Sequence, residues 1–258
     1  MALNTPIRDW SRQRVWVIGA SSGIGAALSA AFIERGARVA LSARRRAPLE
    51  DIARSRPAHA LVEPLDVTHE GAVAAALERI VAAWGEVTLV LYVAGTHAPQ
   101  RAWDIEPREA RDIVAANLLG VLDGLPAVVR RLMEQGHGAL GIVSSVAGYR
   151  GLPQALVYGA TKAALINLAE TLYLDLAPKG IGVYLINPGF VRTPLTDQNE
   201  FKMPALIEPP EAAREILRGL ERGEFEIHFP KRFTRVMKLL RLLPYRWYFY
   251  LVHKATGL

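Results

Sequence analysis

A tyrosine and a lysine four residues apart, Tyr158 and Lys162, form the stretch of this 258-residue chain best suited to chemistry. Residues so spaced stand one above the other on a helix. The apolar spacing of residues 156–177 predicts such a helix. A cation beside a phenol favours the phenolate and lowers the tyrosine pKa from its reference of about 10. The pair is then a general acid/base able to exchange a proton with a substrate hydroxyl or carbonyl. Alone, the spacing is common among ordinary surface helices, so the rest of the chain must supply the setting.

Residues 14–18 read as a short buried strand. They run into Gly19-Ala20-Ser21-Ser22-Gly23-Ile24-Gly25, and a helical pattern follows to about Gly36. Strand, glycine-rich turn and helix are the setting of a dinucleotide-binding turn. Its glycines let backbone N–H groups approach a pyrophosphate, and the helix N-terminus favours the charge. The spacing here is G-x3-G-x-G rather than G-x-G-x-x-G. A second strand over 38–43 is followed by Arg44-Arg45-Arg46, with no acid at its end. An acid there would take a ribose 2′-hydroxyl, whereas an arginine accommodates a 2′-phosphate. Arg44 therefore predicts NADP(H) in preference to NAD(H). Arg45 and Arg46 read equally well as a solvated basic loop.

A third strand over 60–64 leads to Asp66-Val67, and a helix covers about 70–84. A fourth strand over 87–93 leads into Ala94-Gly95. A long helix over about 107–135 contains Asn117. A fifth strand over 139–143 ends at Ser144-Ser145, and a sixth over 181–186 ends at Asn187-Pro188-Gly189. Strands alternating with helices predict an α/β fold, a doubly wound parallel sheet with its ligand at the carboxyl ends of the strands. Gly23, Arg44, Asp66, Gly95, Ser145 and Gly189 all fall at such ends.

These residues resemble the short-chain dehydrogenase/reductase family. The glycine-rich turn, Asp66-Val67, Asn117, Ser145, Tyr158-x-x-x-Lys162 and Pro188-Gly189-Phe190-Val191-Arg192-Thr193 fit its order and separations throughout residues 12–195. The resemblance implies a single Rossmann-like domain, usually with a seven-stranded parallel sheet, and an NAD(P)-dependent enzyme acting between CH–OH and C=O. It implies that Tyr158 is the acid/base and that Ser145 hydrogen-bonds the substrate oxygen. Lys162 would hold the nicotinamide ribose and depress the Tyr158 pKa. Asn117 would keep a proton-relay water in place by kinking its helix. Gly19, Ser21, Ser22, Gly23, Ile24, Gly25, Ala94 and Gly95 would surround the cofactor. Asp66 and Val67 would flank the adenine, Pro188-Gly189 would turn beneath the nicotinamide, and Val191 and Thr193 would fix its carboxamide. Taken singly, each has an ordinary alternative: Asp66 as a helix N-terminal acid, Thr193 as a turn hydroxyl, Asn117 as an incidental helix residue. Ser144 or Ser145 could merely satisfy backbone groups.

The sequence departs from the family pattern after the fourth strand, where Tyr92-Val93-Ala94-Gly95 stands in place of Asn-Asn-Ala-Gly. The missing asparagines brace the sheet and the cofactor loop but transfer no proton. An active enzyme is expected, with Tyr92 filling the vacated space as core.

Three variable stretches read the substrate in this family. They are the loop after Gly95 with His97, residues 146–154 with Tyr149 and Gln154, and the segment 194–207 with Leu195, which reads as a lid. Their mostly apolar character predicts a lipophilic carbonyl or alcohol. Beyond them, Arg232, Arg235, Lys238 and Arg241 recur every three positions, with Phe233, Val236, Met237, Leu240 and Leu243 on the other side. Pro244 ends that run, and an aromatic cluster from Tyr245 to Val252 follows. A basic amphipathic helix beside clustered tryptophan and tyrosine is an interfacial membrane signature. The same apolar side would also suit packing on the enzyme's own core or on a partner subunit. The expected division is a catalytic domain over 1–229 and a basic, aromatic C-terminal extension over 230–258.

The net charge is +6, but no acid follows Glu226, and the seven Lys and Arg after it leave −1 for the remainder. The basicity therefore belongs to the tail and not to a nucleic-acid-binding face. With 51% apolar residues the chain is not disordered, and without cysteine it has neither disulfides nor thiolate metal sites. No metal site is expected. No N-terminal signal pattern is present, and no apolar stretch approaches the roughly 20 residues of a spanning helix. The expected location is cytoplasmic, with the tail at the inner membrane surface. Homodimers or homotetramers are implied by the resemblance. The competing reading is a catalytically idle Rossmann nucleotide sensor or scaffold docked at a membrane.

Overall fold

Strand β1 (Arg14–Ile18) pairs in parallel with β2 (Arg38–Ser42) on one side and β4 (Leu89–Tyr92) on the other. Beyond β2 lies β3 (Ala60–Val62). Beyond β4 lie β5 (Ala139–Val143), β6 (Gly182–Pro188) and β7 (Glu226–Phe229). The order β3-β2-β1-β4-β5-β6-β7 makes one seven-stranded parallel sheet. The winding reverses between β1 and β4, which opens a crevice at their carboxyl ends. The computed structural model describes residues 2–199, 201 and 203–257.

Side chains alternate across each strand, so both faces of the sheet bury apolar groups. Val15 and Val17 face one cluster, where α1 (Gly23–Glu34) contributes Leu28 and Phe32 and α7 (Pro209–Arg222) contributes Ile216, Leu217 and Leu220. Trp16 and Ile18 face the other, built with α3 (Ala72–Trp84), α5 (Gly120–Gln135) and α6 (Leu156–Leu176). Each large aliphatic buried this way contributes about 1.5–3 kcal/mol. The buried Trp16 indole N–H donates to Ser42 Oγ at 2.9 Å, and that hydroxyl donates to the Glu63 carbonyl at 2.6 Å. One polar chain therefore crosses β1, β2 and the end of β3. A short helix, α2 (Arg46–Ala53), follows the Arg44 loop.

The helix expected over 107–135 is interrupted. After α4 (Pro107–Val114) comes a π-turn over Ala115–Leu119, and α5 starts only at Gly120. By length and hydropathy alone this composite run is apolar enough to cross a membrane, although Asn117, Asp123, Arg130 and Arg131 interrupt its apolar residues. Val121, Val128 and Leu132 are buried in the second cluster and Asn117 is fully buried, so one side of the run packs on the sheet.

The C-terminal extension forms α8 (Lys231–Arg241) and α9 (Tyr245–Thr256). Its apolar side is divided. Phe233, Met237 and Leu240 pack on the second cluster, whereas Val236, Leu239 and Leu242 are exposed. Glu226 on β7 accepts hydrogen bonds from Lys238, from Tyr149 and, at 2.8 Å, from the Asn187 amide. Burial alone would raise the Glu226 carboxyl; those three donors outweigh it and hold it below its ordinary value. Arg150 closes the end of α8, donating to the carbonyls of Leu240, Arg241 and Leu243 at 3.0, 3.3 and 2.6 Å.

Candidate active site

A cleft of about 710 Å³ opens at the carboxyl ends of β1, β4, β5 and β6. One wall is the turn from β1 into α1. Gly19 has φ +104, and a Cβ there would come within 2.4 Å of the Ala94 nitrogen. A side chain on Gly25 would meet the Gly19 carbonyl oxygen at 2.0 Å. Only glycine lets the turn close this tightly. Ser22 is the N-cap of α1 but makes no side-chain cap bond. The free N–H groups at the start of this 12-residue helix border the cleft at Gly23, Ile24 and Gly25, beside Ser21 and Ser22. That backbone cradle fits a pyrophosphate.

Further along, Arg44, Arg45, Asp66 and Val67 line the cleft. Burial would raise the Asp66 carboxyl, but the Thr68 N–H and hydroxyl, at 3.0 and 2.8 Å, and the Arg44 charge hold it below its ordinary value. Ala94 and Gly95 line the middle. Pro188, Gly189, Val191, Thr193 and Leu195 line the far end, with Thr196 among them. Thr196 braces that segment: its hydroxyl accepts from the Thr193 N–H at 2.9 Å and donates to the Val191 carbonyl at 2.7 Å. Thr193 also reaches Gly23, where a Cβ would meet its Cγ2 at 2.7 Å.

The opposite wall carries Ser145, Tyr158 and Lys162. The Lys162 ammonium donates to the Val143 carbonyl at 2.9 Å, and the Ser144 hydroxyl donates to the Lys162 carbonyl at 2.7 Å. These two bonds fix the Tyr158 helix to the end of β5. Although its ring is only half-buried, the protein around Tyr158 raises its phenol above the ordinary value, and a hydrogen bond with Ser145 pulls the other way. Lys162 is buried, which pushes its ammonium down to about 8. It lies 5.6 Å from the Tyr158 ring centroid. The depression of Tyr158 by Lys162 expected from sequence is thus not seen here: burial raises the phenol, and the opposing pull comes from Ser145. The Ser145 oxygen accepts the Ala147 N–H at 3.1 Å, which leaves its own proton for another partner.

Asn117 does not line the cleft. The π-turn directs its amide to Thr96, accepting from the N–H at 2.7 Å and donating to the carbonyl at 2.9 Å, and to the Thr161 hydroxyl at 3.2 Å. It braces the loop after β4, the segment that lacks the family's asparagines. Tyr92 fills core there, 3% exposed. Its hydroxyl is buried without a hydrogen-bond partner among the described residues.

Of the substrate candidates, Leu195 lines the cleft and the His97 ring packs on Tyr158 at 4.6 Å between centroids. Burial holds the His97 imidazole below its ordinary value, against the opposing effect of the Asn199 amide. Tyr149 and Gln154 do not line the cleft. The Tyr149 hydroxyl is committed to Glu226. Gln154 sits in the left-handed region at φ 60, its carbonyl accepting the Gln100 N–H at 3.2 Å. Sequence reasoning missed Thr96, Thr161 and Thr196, which brace named site residues. They carry no signal beyond being hydroxyl residues near a motif. Two positions of the lid, 200 and 202, lie outside the described residues.

Comparison with known proteins bears on this geometry. The short chain dehydrogenase family model matches residues 13–203. An uncharacterized oxidoreductase of Myxococcus xanthus is 35% identical over 239 residues, 92% of this chain and 94% of its own. A 3-ketoacyl-(acyl-carrier-protein) reductase from Brucella melitensis, solved with NADH, superposes with TM-score 0.79 at 27% identity, covering 84% of this chain and 96% of that one. A short-chain dehydrogenase from Sphingobium yanoikuyae, solved with NADPH, gives TM-score 0.77 at 26% identity over 90% and 97% of the two chains. A match over residues 13–203 takes in both walls of the cleft, and the chain belongs to the short-chain dehydrogenase/reductase family of oxidoreductases.

Proposed function

We propose that the protein is an NADP(H)-dependent oxidoreductase that interconverts a carbonyl and an alcohol on a lipophilic substrate at a membrane surface. The observation that carries this is the placing of Ser145, Tyr158 and Lys162 on one wall of a cleft whose other wall is the N-terminus of α1. The Gly19–Gly25 turn would hold the pyrophosphate, Asp66 and Val67 the adenosine, and Val191 and Thr193 the carboxamide. A bound nicotinamide cofactor would supply or take up the hydride. In the reductive direction Tyr158 gives its phenolic proton to the substrate oxygen, and Ser145 donates a hydrogen bond to that oxygen as charge develops on it. Lys162 would hold the nicotinamide ribose with the N–H groups it does not spend on Val143. Asn117 acts through Thr96 and Thr161 as a positioning residue.

The absence of an acid at the end of β2, with Arg44 exposed at the cleft edge, supports NADP(H) over NAD(H). Exposed Val236, Leu239, Leu242, Trp247 and Tyr250, set among basic side chains with no acid after Glu226, support contact with an anionic leaflet. On this reading residues 1–229 are the catalytic domain and 230–258 a membrane-facing extension on the cytoplasmic side. Exposed Leu119, Leu122 and Leu174, on and beside α5 and α6, support pairing of two copies through those helices.

The test is calorimetric titration of the full chain with NADPH and NADH, followed by turnover on ketones with and without the Tyr158 hydroxyl. Tight NADPH binding with turnover that Tyr158→Phe removes is expected, a loss of at least about 100-fold. A Tyr158→Phe protein with near-normal rates would overturn the assignment. Flotation of the full chain, but not of a version ending at Phe229, on anionic vesicles tests the membrane contact.

A further inference from the structure

An aromatic row runs from beside the far end of the cleft to the C-terminal extension. Phe190 lies between Gly189 and Val191, both of which line the cleft. Its ring meets Phe201 of the lid at 5.7 Å and Phe233 of α8 at 5.5 Å, centroid to centroid. Phe233 lies against Gly189 so closely that a Cβ there would come within 2.9 Å of the Phe233 ring. Phe201 is 45% exposed, which leaves one side of its ring open to a ligand. One turn along α8 from Phe233, Val236 is exposed, and Leu239 and Leu242 continue the apolar strip to the surface.

We propose that Phe190, Phe201 and Phe233 form a subsite for a hydrocarbon chain, which fixes the substrate class as long-chain carbonyls or alcohols whose reactive carbon lies at or near one end. The inference rests on the reading of the cleft as an oxidoreductase site. The head of the substrate sits at Tyr158, and its chain runs over Gly189 and along α8 toward the exposed strip. Each methylene added to the substrate should then leave water within the site until the row is covered.

The experiment measures binding of 1-butanol to 1-octanol by calorimetry to the full-length protein saturated with NADPH, a complex in which no hydride transfer can occur. The same series of aldehydes is assayed for turnover. Affinity should rise about fourfold per methylene. Phe201→Ala and the more conservative Phe233→Leu should flatten that rise, with NADPH affinity as the check on folding. A wild-type affinity independent of chain length, or an equal slope in both folded variants, would overturn the subsite. Turnover of short aldehydes without chain dependence would sink the subsite and leave the oxidoreductase reading intact. A variant-sensitive slope in alcohol binding with no turnover on any aldehyde would leave the subsite standing and sink that reading instead.

Discussion

The Arg150 guanidinium lies 4.1 Å from the ring centroid of Tyr248, whose hydroxyl donates to the carbonyl of Gly151 at 2.5 Å. The same guanidinium stacks on Tyr245 at 4.7 Å and closes the end of α8 through three carbonyls. Residues 150 and 151 thus hold both C-terminal helices to the loop after β5. Charge-assisted bonds and cation–π contacts of this kind are worth about 2 kcal/mol or more together. Arg150→Ala should therefore speed amide exchange across Tyr245–Thr256 by more than tenfold, with the sheet unaffected. Unchanged exchange in α9 would mean that packing of Tyr248 alone holds the helix.

Tyr92 keeps its hydroxyl in the core beside Gly124, where a Cβ would come within 2.9 Å of it. A buried polar group with no bond costs about 1–3 kcal/mol. Tyr92→Phe removes the oxygen and keeps the ring. Thermal unfolding should move up by about 2–4 °C for each kcal/mol recovered. A lowered midpoint would show that the hydroxyl has a partner in solution.

Arg44 is exposed at the cleft edge. Losing a charge-assisted bond to a 2′-phosphate costs about 1.5–3 kcal/mol. Arg44→Ala should weaken NADPH binding by about 10- to 100-fold and leave NADH nearly unchanged. Equal weakening of the two by calorimetry would move the 2′-phosphate contact elsewhere, with Arg45 the next residue to test.

Burial pushes the Lys162 ammonium to about 8, below the roughly 10.4 of an unfolded lysine. Between those values the unfolded chain binds more protons than the folded one. Stability should therefore rise with pH across that window as the cost of the buried charge is relieved. Urea unfolding of Lys162→Met should show a flatter dependence over the same range, because the titrating group is gone. A parallel slope in both proteins would mean that Lys162 titrates normally when folded. The same variant should be inactive, since the ammonium also fixes the helix to Val143.

Much of this arrangement was legible before the structure. Arg14–Ile18 and Ala139–Val143 are short apolar runs with turn residues at their ends, and each forms a strand over the expected residues. The Tyr158 helix ends one residue earlier than predicted. β7 escaped because it is four residues long and mixes Glu226 and His228 with two apolar residues. α7 had a readable signal, prolines at its start and buried Ala212, Ala213, Ile216, Leu217 and Leu220 at helical spacing. The bond from Tyr149 to Glu226 was not legible because the two are 77 residues apart, and no local pattern carries that distance. The division of α8 between core and surface has the same cause. Its wheel reads as one apolar side, and only the neighbouring Phe190 and Gly189 decide which part of that side is covered.

A π-turn is an α-helix with one residue too many. The five residues Ala115–Leu119 thus act as an insertion that was never absorbed, and everything after them is rotated by about 100° from where an uninterrupted helix would set it. Gly120, whose missing side chain admits Val67 to within 2.8 Å of its virtual Cβ, owes its place against that cleft residue to the offset. Length itself is thereby constrained: a lineage that lost one residue here would gain a more regular helix and lose the register between its two halves.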